Sequence, residues 1–139
     1  MNESSLLDAF PNPQPGRDYL VEHFAHEFTS LCPKTGQPDF GTIQLRYIPG
    51  PTCIELKSLK LYLHSFRDRG IFYEDVTNLI LKDLADACAP KWMCVRTAWS
   101  VRGGIHSVIT AQMGDEKLVA PFGDRAEPRV PALDAPCQA

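Results

Sequence analysis

Hydrophobic residues recur along this chain with two periods, and the change of period marks out its elements. Over residues 42–48 apolar and polar positions alternate, with Ile43, Leu45 and Tyr47 set against Thr42, Gln44 and Arg46, the period of a strand buried on one face. Pro49-Gly50-Pro51 ends that run, and residues 52–56 are expected to pair back on it as the second strand of a hairpin. The period then lengthens. Leu59, Leu63 and Phe66 stand at i, i+4 and i+7, which predicts a helix with Ser58 as its N-cap and Gly70 as its terminator. A second helix is predicted from Tyr73, where Glu74 and Asp75 suit the positive end of the helix dipole. Val76, Leu79, Ile80, Leu84 and Ala87 form its buried stripe, and Pro90 stops it. Met93, Val95, Thr97, Trp99 and Val101 then alternate with Cys94, Arg96 and Ala98 as a long strand. Arg102-Gly103-Gly104 turns the chain, and residues 105–112 return as a fourth strand.

The order ββααββ describes an α+β fold, a four-stranded antiparallel sheet with two helices on one face. Such a sheet leaves its edges in need of cover, and joining sheets edge to edge in an oligomer is one solution. Pro11, Pro13, Pro15 and Gly16 crowd the start of the chain, and four further prolines fall after residue 120 without hydrophobic periodicity. Residues 1–17 and 114–139 are therefore expected to be loosely attached tails flanking a single domain at 18–113.

The length of 139 residues suffices for one domain with a real core, and is too short for separate nucleotide-binding and catalytic domains. A net charge of -3 offers no basic stripe for a phosphate backbone, so no direct nucleic-acid binding is expected. No apolar run is long enough to cross a bilayer, and the acidic, Pro-rich start is unlike a signal peptide. A cytoplasmic protein with no membrane partner is expected. The five cysteines, Cys32, Cys53, Cys88, Cys94 and Cys137, include no CxxC pair. They are expected to be free thiols, with neither a disulfide framework nor a metal site.

Candidate chemistry gathers in a few segments. FTSLCPKTGQPDF puts Cys32 and Asp39 seven residues apart in a stretch rich in turn formers, and loops held by a rigid sheet commonly carry function. Lys34 nearby would favour a thiolate at Cys32, although a buried structural thiol is the ordinary alternative. Asp39 is either a turn residue after Pro38 or an acid able to protonate a nitrogen or oxygen after addition. Lys57 and Lys60 either face solvent or hold phosphates at a helix start. Arg102 and Gly103 form an ordinary hairpin turn or a phosphate contact. Glu74 either compensates the dipole or accepts the two parallel donors of a guanine-like base. No GxGxxG or Walker pattern is present, so a nucleotide must bind by another route.

Four segments in this order, FTSLCPKTGQPDFGTI, ELKSLKLY, FYEDVTN and RGGI, closely resemble the 7-cyano-7-deazaguanine reductase family, the nitrile reductases of queuosine biosynthesis and tRNA modification, in their short single-module form. The resemblance spans about residues 27–109. It implies a tunnelling fold whose subunits join their sheets into a barrel, with active sites at subunit boundaries, commonly as a decamer of two stacked pentamers. It implies Cys32 as the nucleophile that forms a thioimide with the nitrile and Asp39 as the proton donor, with NADPH as hydride donor. It further assigns Glu74 to anchoring the purine with Tyr73 beside it, Ile54, Glu55 and Leu56 to the same substrate, and Leu56, Lys57, Lys60, Arg102 and Gly103 to NADPH. Two positions depart from the family pattern: Tyr73 stands where many relatives have histidine, and Leu56 where serine is frequent. A related amidine-forming activity on a nitrile base is the nearest alternative, and a non-catalytic purine-binding module on the same fold is another.

Overall fold

In the computed structural model, which describes residues 3–123, four long strands make the main sheet: β2 Val21–Leu31, β3 Pro38–Ile48, β5 Trp92–Trp99 and β6 Val108–Gly114. They are antiparallel and adjacent in the order β2-β3-β5-β6. Two further short strands, β1 Ala9–Pro11 and β4 Thr52–Ile54, pair with each other. Helices α1 Leu56–His64 and α2 Tyr73–Cys88 lie between β4 and β5 in sequence and pack on one face of the sheet. The α+β layout and the ββααββ order of the main sheet agree with the sequence pattern.

The membership of that sheet differs from expectation in one strand. Residues 52–56 do not pair back on β3; only Thr52–Ile54 is extended, and it pairs with Ala9–Pro11. The reason is that both sides of β3 are already occupied, by β2 and β5. The backbone N–H of Ile54 donates instead to the buried hydroxyl of Tyr47, at 3.1 Å. The true partner, β2, carries a bulge: register shifts between Ala25 and Phe28, and Glu27 takes φ 64°. An inserted bulge breaks strict alternation, so no clean period of two runs through residues 21–31.

Helix α1 begins three residues earlier than predicted. Glu55 is its N-cap, accepting from Lys57 N at 2.6 Å and Ser58 N at 2.8 Å. Ser58, the expected cap, lies inside the helix, where its hydroxyl accepts from Asp8 N and donates to Glu55 O. Gly70 does not end α1, which stops at His64. It forms a parallel bridge with Leu31, flanked by Leu31 N to Arg69 O at 2.9 Å and Ile71 N to Leu31 O at 3.0 Å. Helix α2 starts at Tyr73 as predicted and ends on Ala89 in a left-handed conformation ahead of Pro90. Strand β5 ends at Trp99, short of Val101, and β6 begins at Val108. Between them Arg102 and Ile105 exchange two backbone hydrogen bonds around Gly103 and Gly104, both at positive φ (58° and 77°). Such a turn favours glycine at both central positions.

The main core lies between sheet and helices, where Ile43, Leu45, Tyr47, Val95 and Trp99 meet Tyr62, Phe66, Val76, Ile80 and Leu84. The other sheet face is covered at one end, where Ile48, Trp92 and Cys94 pack against Leu118, Val119 and Phe122. The start of the chain is not loose: Leu6 and Leu7 pack on the main core and Asn12 is buried, its amide donating to Gly50 O. Backbone pairing and burial tie such a segment down. Cys53, Cys88 and Cys94 are buried free thiols and Cys32 is half-buried; Cys137 and the rest of residues 124–139 lie outside the described residues.

Candidate active site

Cys32 follows directly on β2 and opens the turn into β3. Its N–H donates to Gln37 O and its carbonyl accepts from Gly36 N, both at 2.8 Å, with Gly36 at φ 72°. This closed turn fixes the thiol at the end of the hairpin, while the Leu31–Gly70 bridge draws the start of α2 alongside. Local pairing thus brings residues far apart in sequence to one cavity of about 270 Å³, lined among others by Cys32, Asp39, Tyr73, Glu74, Arg102 and Ile105.

The acid in this cavity is held from two sides. Asp39 is 3% exposed, and its Oδ1 accepts from the Tyr73 hydroxyl at 3.0 Å and from the Arg102 guanidinium. No hydrogen bond among the described residues engages Oδ2. Tyr73 is locked in turn: its ring stacks on Trp99, 4.1 Å between centroids and 9° from parallel. Trp99 Nε1 donates to Thr97 Oγ1, which pairs with Thr77 Oγ1, and that hydroxyl donates to Tyr73 O. Burial, then the bond to Asp39, pushes the Tyr73 phenol up to about 12, so it stays a proton donor at any physiological pH. The same carboxylate raises the Arg102 guanidinium further above its ordinary value.

The Cys32 thiol is lowered from its ordinary value, first by the Thr35 side-chain hydrogen bond, then by the backbone N–H groups of Thr35 and Lys34. Lys34 thus acts on the thiol through its backbone N–H. Hydrogen bonds to a thiolate favour its formation and hence its nucleophilicity.

The remaining candidate residues lie elsewhere on the chain. Ile54, Glu55 and Leu56 line a second cavity of about 430 Å³, with Phe10, Tyr19 and His23 among its walls. Ile54 is 1% exposed. Two backbone N–H groups engage Glu55 and hold its carboxyl below the usual range. Leu56 and Lys60 also line a third cavity, about 440 Å³, between α1 and β2, together with His23, His26, His64 and Arg67. Lys57 is exposed on the first turn of α1, and Gly103 on the β5–β6 turn. Within one chain, then, Cys32, Asp39, Tyr73, Glu74 and Arg102 are brought together, whereas the ELKSLKLY residues are not. Sequence reasoning missed Thr35 and Trp99. Thr35 was legible as a turn hydroxyl three residues after a cysteine, but no sequence signal stacks Trp99 on Tyr73.

The family described as QueF-like protein matches residues 38–118. A protein from Anaeromyxobacter dehalogenans (strain 2CP-C), named NADPH-dependent 7-cyano-7-deazaguanine reductase, is 58% identical over 109 residues, covering 78% of this chain and 89% of the relative. A protein of the same name from Chlorobaculum tepidum is 53% identical over 112 residues, covering 81% and 96%. Among solved structures, the apo form of the archaeosine synthase QueF-Like superposes with a TM-score of 0.61 at 20% identity, over 70% of this chain and 94% of that one. That likeness supports the tunnelling fold and nothing finer.

Proposed function

The chain belongs to the QueF-like protein family, and from that premise we propose that it reduces the nitrile of 7-cyano-7-deazaguanine to the aminomethyl group with NADPH, by way of a thioimide on Cys32. The observation that carries this reading is the shared cavity of Cys32 and Asp39. A nitrile carbon is a weak electrophile, and a soft nucleophile paired with an acid for the nitrogen divides the reduction into easier steps. The Cys32 thiolate attacks the nitrile carbon, the C–S bond forms as one π bond of the nitrile opens onto nitrogen, and the nitrogen takes a proton. With Oδ1 of Asp39 already accepting from Tyr73 and Arg102, Oδ2 is the oxygen left to take the proton released by the Cys32 thiol and pass it to that nitrogen. Glu74, exposed on the first turn of α2 at the cavity rim, offers two acceptor oxygens to the N1–H and 2-amino group of the purine. Cys32 later leaves as the C–S bond breaks, so it acts as a nucleophile and a leaving group in one turnover.

The residues present suit NADPH. The groove between α1 and β2 combines cationic or titratable side chains, Lys60, Arg67, His64 and His26, with apolar Leu56, Leu59 and Leu63, a donor set that fits phosphates beside planar rings. Leu56, Lys57 and Lys60 would hold the cofactor from that side, Arg102 and Gly103 from the β5–β6 turn. When bound, NADPH supplies hydride to carbon, two equivalents per nitrile, while the protein supplies position and charge.

Cys32, Asp39, Tyr73, Glu74 and Arg102 line one cavity of the chain, and Leu56 and Lys60 line another. A site completed across a boundary between protomers reconciles them, in a homo-oligomer built as a decamer of two pentamers. The product then feeds queuosine synthesis for tRNA in the cytoplasm. Among the described residues no helix is long and apolar enough to cross a membrane.

The test is NADPH oxidation with purified protein and 7-cyano-7-deazaguanine, alongside intact-mass analysis. The expected result is two NADPH consumed per nitrile and an adduct lost in Cys32→Ala, whose turnover falls by about 10³-fold or more. An adduct without oxidation would instead indicate amidine formation, and neither signal would indicate a binding module. Retention of reductase activity by Cys32→Ala would overturn the covalent route.

A further inference from the structure

We propose that the sheet face turned away from the helices contains a binding site for a small oxyanion, built on Gln44 and Arg46. Along β3, Gln44 and Arg46 alternate with Ile43, Leu45 and Tyr47, which are buried in the main core, so they project to the opposite side. There, with Cys94, Arg96 and Thr110 from β5 and β6, they line a cavity of about 200 Å³. It shares no lining residue with the cavity of Cys32.

What marks this cavity is the imbalance of its buried polar atoms. Gln44 is 1% exposed, and its Nε2 has no hydrogen-bond partner; Nε and Nη2 of Arg46 are buried and likewise without one. Arg46 Nε lies 3.3 Å from Glu22 Oε2, close enough for charge attraction but outside hydrogen-bond geometry. The guanidinium is held over the Trp92 ring at 5.7 Å, which limits its freedom to turn elsewhere. Among the described residues, Gln44 Nε2 and Arg46 Nη2 have no partner and Arg46 Nε has only the ion pair with Glu22; these donors call for an acceptor, because buried polar groups in folded proteins are almost always paired. Arginine forks match the oxygens of phosphate, sulfate and carboxylate. At roughly 30 Å³ for a water molecule, the cavity has room for an oxyanion and some of its hydration.

Full-length protein is titrated with sodium phosphate, and separately with sodium acetate, against sodium chloride at constant ionic strength. Thermal melting and calorimetric titration are the readouts. The expected result is saturable binding with a rise in Tm on the order of a few degrees, because a ligand of the folded state alone stabilises it. Response to phosphate alone identifies a tetrahedral ligand; equal response to acetate identifies a carboxylate, and both uphold the site. Arg46→Met should lose the response. Gln44→Glu supplies a carboxylate from within, so it should fold and no longer respond; this variant carries the test if Arg46→Met is unstable. If the Gln44 amide turns its oxygen onto Arg46, no anion is needed and the wild type gives no saturable response, which overturns the proposal. A response undiminished in a folded Gln44→Glu variant overturns it too.

Discussion

The two ends of β3 each lead into a motif segment, and the two segments use their polar groups in opposite ways. Before β3, the turn at Cys32 directs backbone and side-chain donors toward a thiol, and Asp39 at the strand's start gathers Tyr73 and Arg102 around one carboxylate oxygen. After it, the carboxylate of Glu55 is committed to its own helix, with Lys57 N and Ser58 N both donating to it. Ser58 is tied to Asp8 and Ile54 N to Tyr47. One corner is organised around groups that face a cavity, the other around groups that satisfy the fold. The difference explains why the corner at Cys32 can be read chemically within a single chain, while the ELKSLKLY corner is less legible there.

The variant that cuts deepest into this contrast, after loss of Cys32 itself, is Asp39→Asn. Asparagine keeps the shape and can still accept from Tyr73 and Arg102, but it cannot deliver a proton from an acid. Steady-state kinetics should give a fall in kcat of about 10²–10⁴-fold, the usual weight of general acid catalysis, with KM for the nitrile changed far less. A large rise in KM at unchanged kcat would move Asp39 from chemistry to binding.

Tyr73→Phe asks whether the organisation around Asp39 matters. Phenylalanine retains the stack on Trp99 and removes only the donor to Oδ1. The expected fall in kcat is about tenfold, the size of one hydrogen bond to a charged group, with the fold unaffected in thermal melts. Because the phenol lies near 12, the loss should be the same across neutral and mildly alkaline pH. A loss confined to one limb of the pH profile would make Tyr73 a titrating participant.

The pattern of apolar residues made both helices and the β3 and β5 strands legible, because each has a regular period against a single core, and the turn at Gly103-Gly104 pointed to β6. It failed where pairing is decided by distant chain. The bulge at Glu27 breaks the alternation of β2, and nothing in residues 52–56 reveals that Ala9–Pro11 will claim them once both sides of β3 are filled. At the site, Cys32, Asp39, Tyr73, Glu74 and Arg102 could be named from motifs and are neighbours in the fold. Their mutual arrangement was not legible. It depends on the Leu31–Gly70 bridge and the Trp99 stack, contacts with no local sequence signature.

The smallest expected effect tests the other corner. Glu55→Ala removes the N-cap of α1, and caps of this kind are modest contributors, so a drop in Tm of about 4 °C at neutral pH is expected. The pH dependence gives the sign. Backbone donors lower the folded-state pKa of Glu55 below its ordinary 4.5, so its stabilisation is fully present above the unfolded value and fades as pH falls through the folded one. Melting curves of wild type and Glu55→Ala should therefore be well separated at pH 7 and draw together in acid, as pH falls through the lowered folded-state value. If the two proteins melt together at pH 7 while KM for the nitrile rises in the variant, the carboxylate is held for substrate and not for the helix. The contrast between the two corners then collapses into a single, divided binding site.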